Sequence, residues 1–245
     1  MRETRVLGVR VDCVDMNGAL ERIAALIDAG GTHLVATVNP EFVMSARRDQ
    51  EFARVLESSD LCLADGSRVV WAARRNGCGL DAPVPGVDLI PELAAMCALR
   101  KRGMFLLGAA PGVADEVARR LLAANPGLDI VAHSGSPDPR DDEETLRLIR
   151  VQRPAVLLVA FGAPRQEKWI DRMRDQLSVP VCVGVGGAFD YLAGVVPRAP
   201  AFMRRGGLEW LFRLAVQPWR IGRMSVLPVF AVRVLLSKRD QTTRP

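Results

Sequence analysis

Runs of apolar, β-branched residues alternate along the chain with stretches whose apolar positions recur every three to four residues. RVLGVRVDCV (5–14), HLVATVN (33–39), LCLAD (61–65), MFLLGA (104–109), DIVAHS (129–134), AVLLVAF (155–161) and PVCVGVG (180–186) read as strands. Between them, PEFVMSARRDQEFARVLESS, GSRVVWAARRNG, LIPELAAMCALR, PGVADEVARRLLAANPG, DDEETLRLIRVQ and APRQEKWIDRMRDQL read as helices. Their boundaries carry helix signals: Pro111 near a first turn, Pro126–Gly127 closing a last one, and acids opening the 141–152 segment. The alternation predicts an α/β, Rossmann-like, mostly parallel sheet with helices on both faces. AVLLVAF is apolar at every position, as a strand covered on both sides must be. The alternation stops near residue 197; beyond it the pattern is helical, basic and tryptophan-bearing. This predicts an α/β core over 1–197 and a basic helical C-terminal appendage over 198–245.

Composition fits one large folded unit with a full core: 245 residues, 49% hydrophobic and 25% charged. Charge adds an asymmetry. Residues 198–245 hold ten Lys/Arg against two Asp/Glu, a net +8, while residues 1–197 hold twenty-three against twenty-six, a net −3. A basic end of this kind implies an anionic partner: nucleic acid, an anionic membrane or a phosphate-bearing substrate. Five cysteines (13, 62, 78, 97, 182) sit mostly in apolar runs without a CxxC pair, so free buried thiols in a reducing compartment are expected. Two histidines, His33 and His133, exclude a multi-histidine metal site. The start, MRETRVLGVRVDCV, reads as charged and then strand-like rather than as a signal peptide, and no apolar run reaches the roughly 18–20 residues of a spanning helix.

In an open parallel sheet, ligands bind outside the carboxyl ends of the strands. Those ends carry Thr37, Asn39 and Glu41, then Asp65–Gly66, then Gly108 and Gly112, then Gly162, Gln166 and Glu167, then Gly184, Gly186 and Gly187. Glycines there let backbone approach a ligand, and helix N-termini beyond them suit phosphate oxygens. The same glycines also serve plain βα turns. Neither GxGxxG nor GxxxxGK[ST] is present. Asp65 has two readings: a cap on the following helix, or a general base partly desolvated in a cleft. Thr37 and Asn39 read equally as turn and capping residues, and Asp88 as a cap. No Asp-x-Asp triplet occurs, which favours chemistry in which arginines and backbone amides, not a divalent ion, meet phosphate charge.

TVNPEFVMSAR, SDLCLADG, VPGVDL, LLGAAPGVAD, NPGLDIV, AFGAPRQEKWI, GVGGAFDYLAGVVPRAP and GLEWLFRLAVQPWRIGRM, in this order over about residues 5–225, resemble the WecG/TagA/CpsF family of bacterial glycosyltransferases. The resemblance implies an inverting, metal-independent hexosyltransferase. It would move N-acetylmannosamine, its uronic acid or glucose from a UDP-sugar to a polyprenyl-diphosphate-linked saccharide, in cell-surface polysaccharide or teichoic acid synthesis. It implies no cofactor, since the UDP-sugar is a substrate. It makes Asp65 the base, sets Thr37, Asn39 and Gln166 in the substrate pocket, and brings Arg213, Arg220 and Arg223 to the diphosphates; Gly108 and Gly186 are expected in the same pocket from their places at strand ends. Three positions depart from the family pattern: Arg68 stands where glycine is usual, Pro83 where arginine is common, and HSGSP lacks an aromatic after its glycine. Trp210, Phe212, Trp219 and the aliphatics of 227–236, beside Arg204, Arg205, Arg220, Arg223 and Arg233, suit an interfacial helix on anionic lipid. Packing on the core or on a second subunit is the alternative use of that surface. The expected location is peripheral, on the inner face of the cell membrane, with self-association through the appendage allowed. Two rivals remain on the residues alone: a nucleotide-dependent oxidoreductase, which lacks its glycine fingerprint, and a basic nucleic-acid-binding protein, which lacks any recognisable motif.

Overall fold

The structure, a computed structural model, describes residues 2–200, 203, 209–218, 222 and 225–237. The chain opens with an antiparallel hairpin, β1 (Glu3–Val6) and β2 (Val9–Asp12), rather than the single strand expected over 5–14. Leu7 and Gly8 both take positive φ, 51° and 93°, which is the two-residue turn that suits the twist of a hairpin. The hairpin is a separate two-stranded sheet.

After helix α1 (Met16–Ala29), capped by the Asp15 carboxylate on the Gly18 amide, the β-α alternation follows as predicted. Its strands are β3 (His33–Val38), β4 (Leu61–Ala64), β5 (Met104–Gly108), β6 (Ile130–His133), β7 (Val156–Ala160) and β8 (Val181–Gly184). They form one parallel sheet in the order β4-β3-β8-β7-β5-β6. Between β3 and β4 the expected long helix is two, α2 (Pro40–Ala46) and α3 (Gln50–Glu57). Asp49 causes the break: its carboxylate accepts from the Phe52 amide and starts a new helix. The remaining helices are α4 (Ser67–Arg75), α5 (Gly86–Leu99), α6 (Val113–Ala124), α7 (Asp142–Gln152), α8 (Arg165–Leu177), α9 (Ala188–Leu192), α10 (Glu209–Val216) and α11 (Val226–Leu236).

Alternate strand residues feed opposite layers. Val35, Leu63, Leu106, Leu158 and Val183 pack with Ile23 of α1, Leu89 and Leu93 of α5 and Val117 of α6. Leu34, Phe105, Leu157 and Cys182 pack under Trp169, Ile170 and Met173 of α8. A third cluster joins Val38, Cys62 and Ala64 to the hairpin, to Phe42 and Val43 of α2, to Val69 of α4, and to Phe230 and Val234 of α11. The last helix thus has one face built into the core. Its other face leaves Val229, Val232, Leu235 and Leu236 exposed.

Cys13 and Cys78 form a disulfide, Cα to Cα 5.7 Å, tying the end of β2 to the turn after α4. This corrects the expectation of free thiols for that pair. The partners are 65 residues apart, so only the packing of α4 against the hairpin brings them together. Cys62, Cys97 and Cys182 are buried and free, as expected.

Candidate active site

In-register parallel pairing aligns three strand ends. Val38 lies opposite Ala64, and Ala36 opposite Gly184, so the residues that follow β3, β4 and β8 emerge side by side. Beyond them, and beyond β7, opens a cavity of about 830 Å3. Of the predicted site residues, Thr37, Asn39, Asp65, Gln166 and Gly186 all line it. Gly108 does not: its φ is 98° and its missing Cβ makes room for the Phe161 ring, so its role is to let the turn after β5 pack. The Arg213 side chain and all of Arg220 and Arg223 lie outside the described residues.

Each lining residue is held for a reason the local sequence supplies. Thr37, 4% exposed, donates its hydroxyl to the Gly184 carbonyl at 3.0 Å, stitching β3 to β8 at the cavity floor. Asn39 caps α2, its side chain accepting from the Phe42 amide at 3.1 Å. The Asp65 amide donates to the Val38 carbonyl at 2.8 Å, which continues the β3–β4 ladder by one residue and points the chain into the cavity. The N-cap position of α4 falls to Gly66, not to Asp65, so the capping role weighed for this carboxylate is not the one the backbone gives it. Asp88 sits in the first turn of α5, whose N-cap is Pro85, and pairs with Arg198 at 2.7 Å. Helices α4, α5 and α8 all begin at the cavity without a side-chain cap. Their positive ends therefore face the same space.

Gln166 is a clamp. Its Oε1 accepts from the amides of Gly162 and Gly186, each at 3.0 Å, and joins the turns after β7 and β8. Its Nε2 donates to Glu167 Oε1 at 2.6 Å, which sets the orientation of the amide. Glu167 is fully buried, and its Oε2 has no hydrogen-bond partner among the described residues. A Cβ at Gly184 would collide with Glu167 Oε1 and Gln166 Nε2, so glycine is required there by close approach. Burial raises the Glu167 carboxyl from its ordinary 4.5 to about 7. Between those two values the folded protein holds a proton that the unfolded chain has lost. Stability attached to this group is therefore present at low pH and is lost as pH rises from 4.5 through about 7. Glu167→Gln should flatten that slope. Urea denaturation below and above the window reads it: wild type should lose more stability than the variant across the window, and equal losses would contradict the assignment.

The pattern of acids and glycines did not reveal the cavity's far wall. It is built by Arg68, Trp71 and Arg74 of α4, Tyr191 of α9, Trp210 of α10 and Leu227 of α11. The departures at Arg68 and Pro83 from the expected family pattern were the available signal, and both residues line the cavity. Among the described residues, no group of three or more His, Cys, Asp or Glu is placed to hold a metal ion, and no helix is long and apolar enough to cross a membrane.

The family model described as "Glycosyl transferase WecG/TagA/CpsF family" matches residues 4–244. The chain is 35% identical over 212 residues to the N-acetylglucosaminyldiphosphoundecaprenol N-acetyl-beta-D-mannosaminyltransferase of Bacillus subtilis (strain 168), covering 86% of this chain and 82% of that protein. It is 30% identical over 236 residues to the protein of the same name in Staphylococcus aureus (strain NCTC 8325 / PS 47), covering 96% of this chain and 92% of that one.

Proposed function

Because the chain belongs to the WecG/TagA/CpsF family of glycosyl transferases, we propose that its cavity transfers N-acetylmannosamine from a UDP-sugar to an N-acetylglucosaminyl diphosphate carried on a polyprenol. The sugar and acceptor come from the relatives' names; the UDP donor comes from the family resemblance. A single observation carries the reading. Asp65 opens into a cavity beside Thr37, Asn39 and Gly186, at the carboxyl ends of the strands and facing three helix N-termini.

The steps follow from that geometry. A hydroxyl oxygen of the acceptor sugar attacks the anomeric carbon of the donor. Asp65 takes the hydroxyl proton as the new C–O bond forms. The bond from that carbon to the diphosphate breaks on the opposite face, and UDP leaves with both electrons. One displacement inverts the anomeric centre, and a β product, as in the relatives' names, is what inversion of an α-linked sugar diphosphate yields. Thr37 and Asn39, which line the cavity with Asp65, orient the sugar, and Gln166 keeps the Gly162 and Gly186 turns in place around it. Positive helix ends and Arg213, Arg220 and Arg223 meet the departing charge, with no metal ion in the scheme.

The acceptor's polyprenyl tail lies in a bilayer. The exposed apolar face of α11, with a wall of the cavity formed by Leu227 of the same helix, supports peripheral docking on the inner membrane face. The family assignment displaces the oxidoreductase and nucleic-acid readings. The test is a donor screen for UDP release with a synthetic polyprenyl-diphosphate N-acetylglucosamine acceptor. UDP-N-acetylmannosamine should be turned over fastest; release from none of the UDP-sugars would end the proposal.

A further inference from the structure

Two cations among the described residues line the cavity, and they differ in what occupies them. Arg74 is committed: its Nε donates to the Leu80 carbonyl, and its Nη2 pairs with Asp81 at 3.2 Å. Arg68 is not. Its guanidinium lies over the Trp210 ring, 5.0 Å from the centroid, and among the described residues it makes neither an ion pair nor a hydrogen bond. It is partly desolvated and, among the described residues, has no ion-pair partner, a placement that costs free energy until an anion arrives. It stands in the first turn of α4, three residues after Asp65, where the positive end of the helix adds to its field. The indole ring steadies the planar fork, and no described residue accepts from its N–H donors, which suit phosphate oxygens.

We infer that Arg68, steadied by Trp210, binds the diphosphate of a sugar ester in this cavity. The inference rests on the transferase reading above and names a cation that the C-terminal arginines do not supply. The diphosphate belongs either to the nucleotide donor or to the lipid-linked acceptor. Both present paired, fully charged phosphoryl oxygens that suit a bidentate guanidinium.

Calorimetric titration of the full chain with UDP and with uridine, and acceptor KM in the transfer assay, distinguish these sources. Arg68→Ala should weaken UDP binding about 10–100-fold while uridine binding stays at the wild-type value. Arg68→Lys should recover part of the loss, and Arg68→Gln should repeat that of alanine. A rise in acceptor KM at unchanged UDP affinity assigns Arg68 to the acceptor's diphosphate instead. Unchanged UDP affinity together with unchanged acceptor KM overturns the inference and leaves the transferase reading standing. Equal loss of UDP and uridine in both neutral variants marks Arg68 as a structural clamp between α4 and α10, and also overturns it. Wild-type protein that binds no UDP and uses no UDP-sugar removes the donor reading itself.

Discussion

Asp65→Asn should lower the rate of transfer about 100- to 10,000-fold, the range that a positioned general base commonly supplies. Asparagine keeps the size and shape of the side chain but cannot take a proton at neutral pH. The backbone contact that places the residue, its amide on the Val38 carbonyl, is untouched. The side chain lies at the cavity lip and is not part of the apolar core, so the melting curve should stay close to that of wild type. The loss should fall on kcat, with donor affinity nearly unchanged, because the missing interaction is made only as the hydroxyl proton departs. Turnover within a few-fold of wild type would remove Asp65 from the base role. A fall confined to KM would make it a binding group.

The second large effect is on stability. Phe230→Ala should cost about 3–5 kcal/mol, the range for emptying a fully buried aromatic site. Phe230 is completely buried, inserted with Val234 among side chains of the hairpin, α2 and α4. Its loss frees the one face by which α11 holds to the core. Leu227, one turn earlier on the same helix, lines the cavity, so transfer should fall along with stability. Val232→Ala is the matched control: Val232 is 53% exposed on the opposite face and should change stability by no more than about 0.5 kcal/mol. Urea midpoints of the two variants read the contrast. Equal midpoints would mean that α11 does not pack as described.

The strands of the parallel sheet were legible because strands covered on both faces leave only one kind of residue along their length. AVLLVAF and LCLAD stand out from any helix, and the observed β7 and β4 fall within them. The hairpin was hidden because Leu7–Gly8 is not a usual turn pair, and T-x-V before it with V-x-V after it reads as one strand-like run. The Asp49 break was hidden because apolar spacing runs on through Arg47–Arg48–Asp49 at nearly helical period. The disulfide depends on long-range packing that no local pattern encodes.

At the site, the acids and amides sat where strand ends had to converge, so Thr37, Asn39, Asp65, Gln166 and Gly186 could be found from order alone. Gly108 and Gly186 look alike in sequence, since each follows a strand and a glycine is needed at each turn. Which turn borders the cavity is decided by strand order: β5 lies toward the far edge of the sheet, while β8 is flanked by β3 and β7. Arg68 and Trp210 meet across 142 residues of sequence, so their contact had to be seen in three dimensions.

The most direct test of the account is the configuration of the product. The full chain is incubated with a UDP-N-acetylhexosamine of known anomeric configuration and a polyprenyl-diphosphate N-acetylglucosamine acceptor, and the new linkage is read by NMR. The account predicts a lipid-linked disaccharide whose new anomeric centre is inverted relative to the donor, formed with one UDP released per linkage and nearly absent with Asp65→Asn. Retention of configuration, or transfer undiminished in that variant, would contradict it.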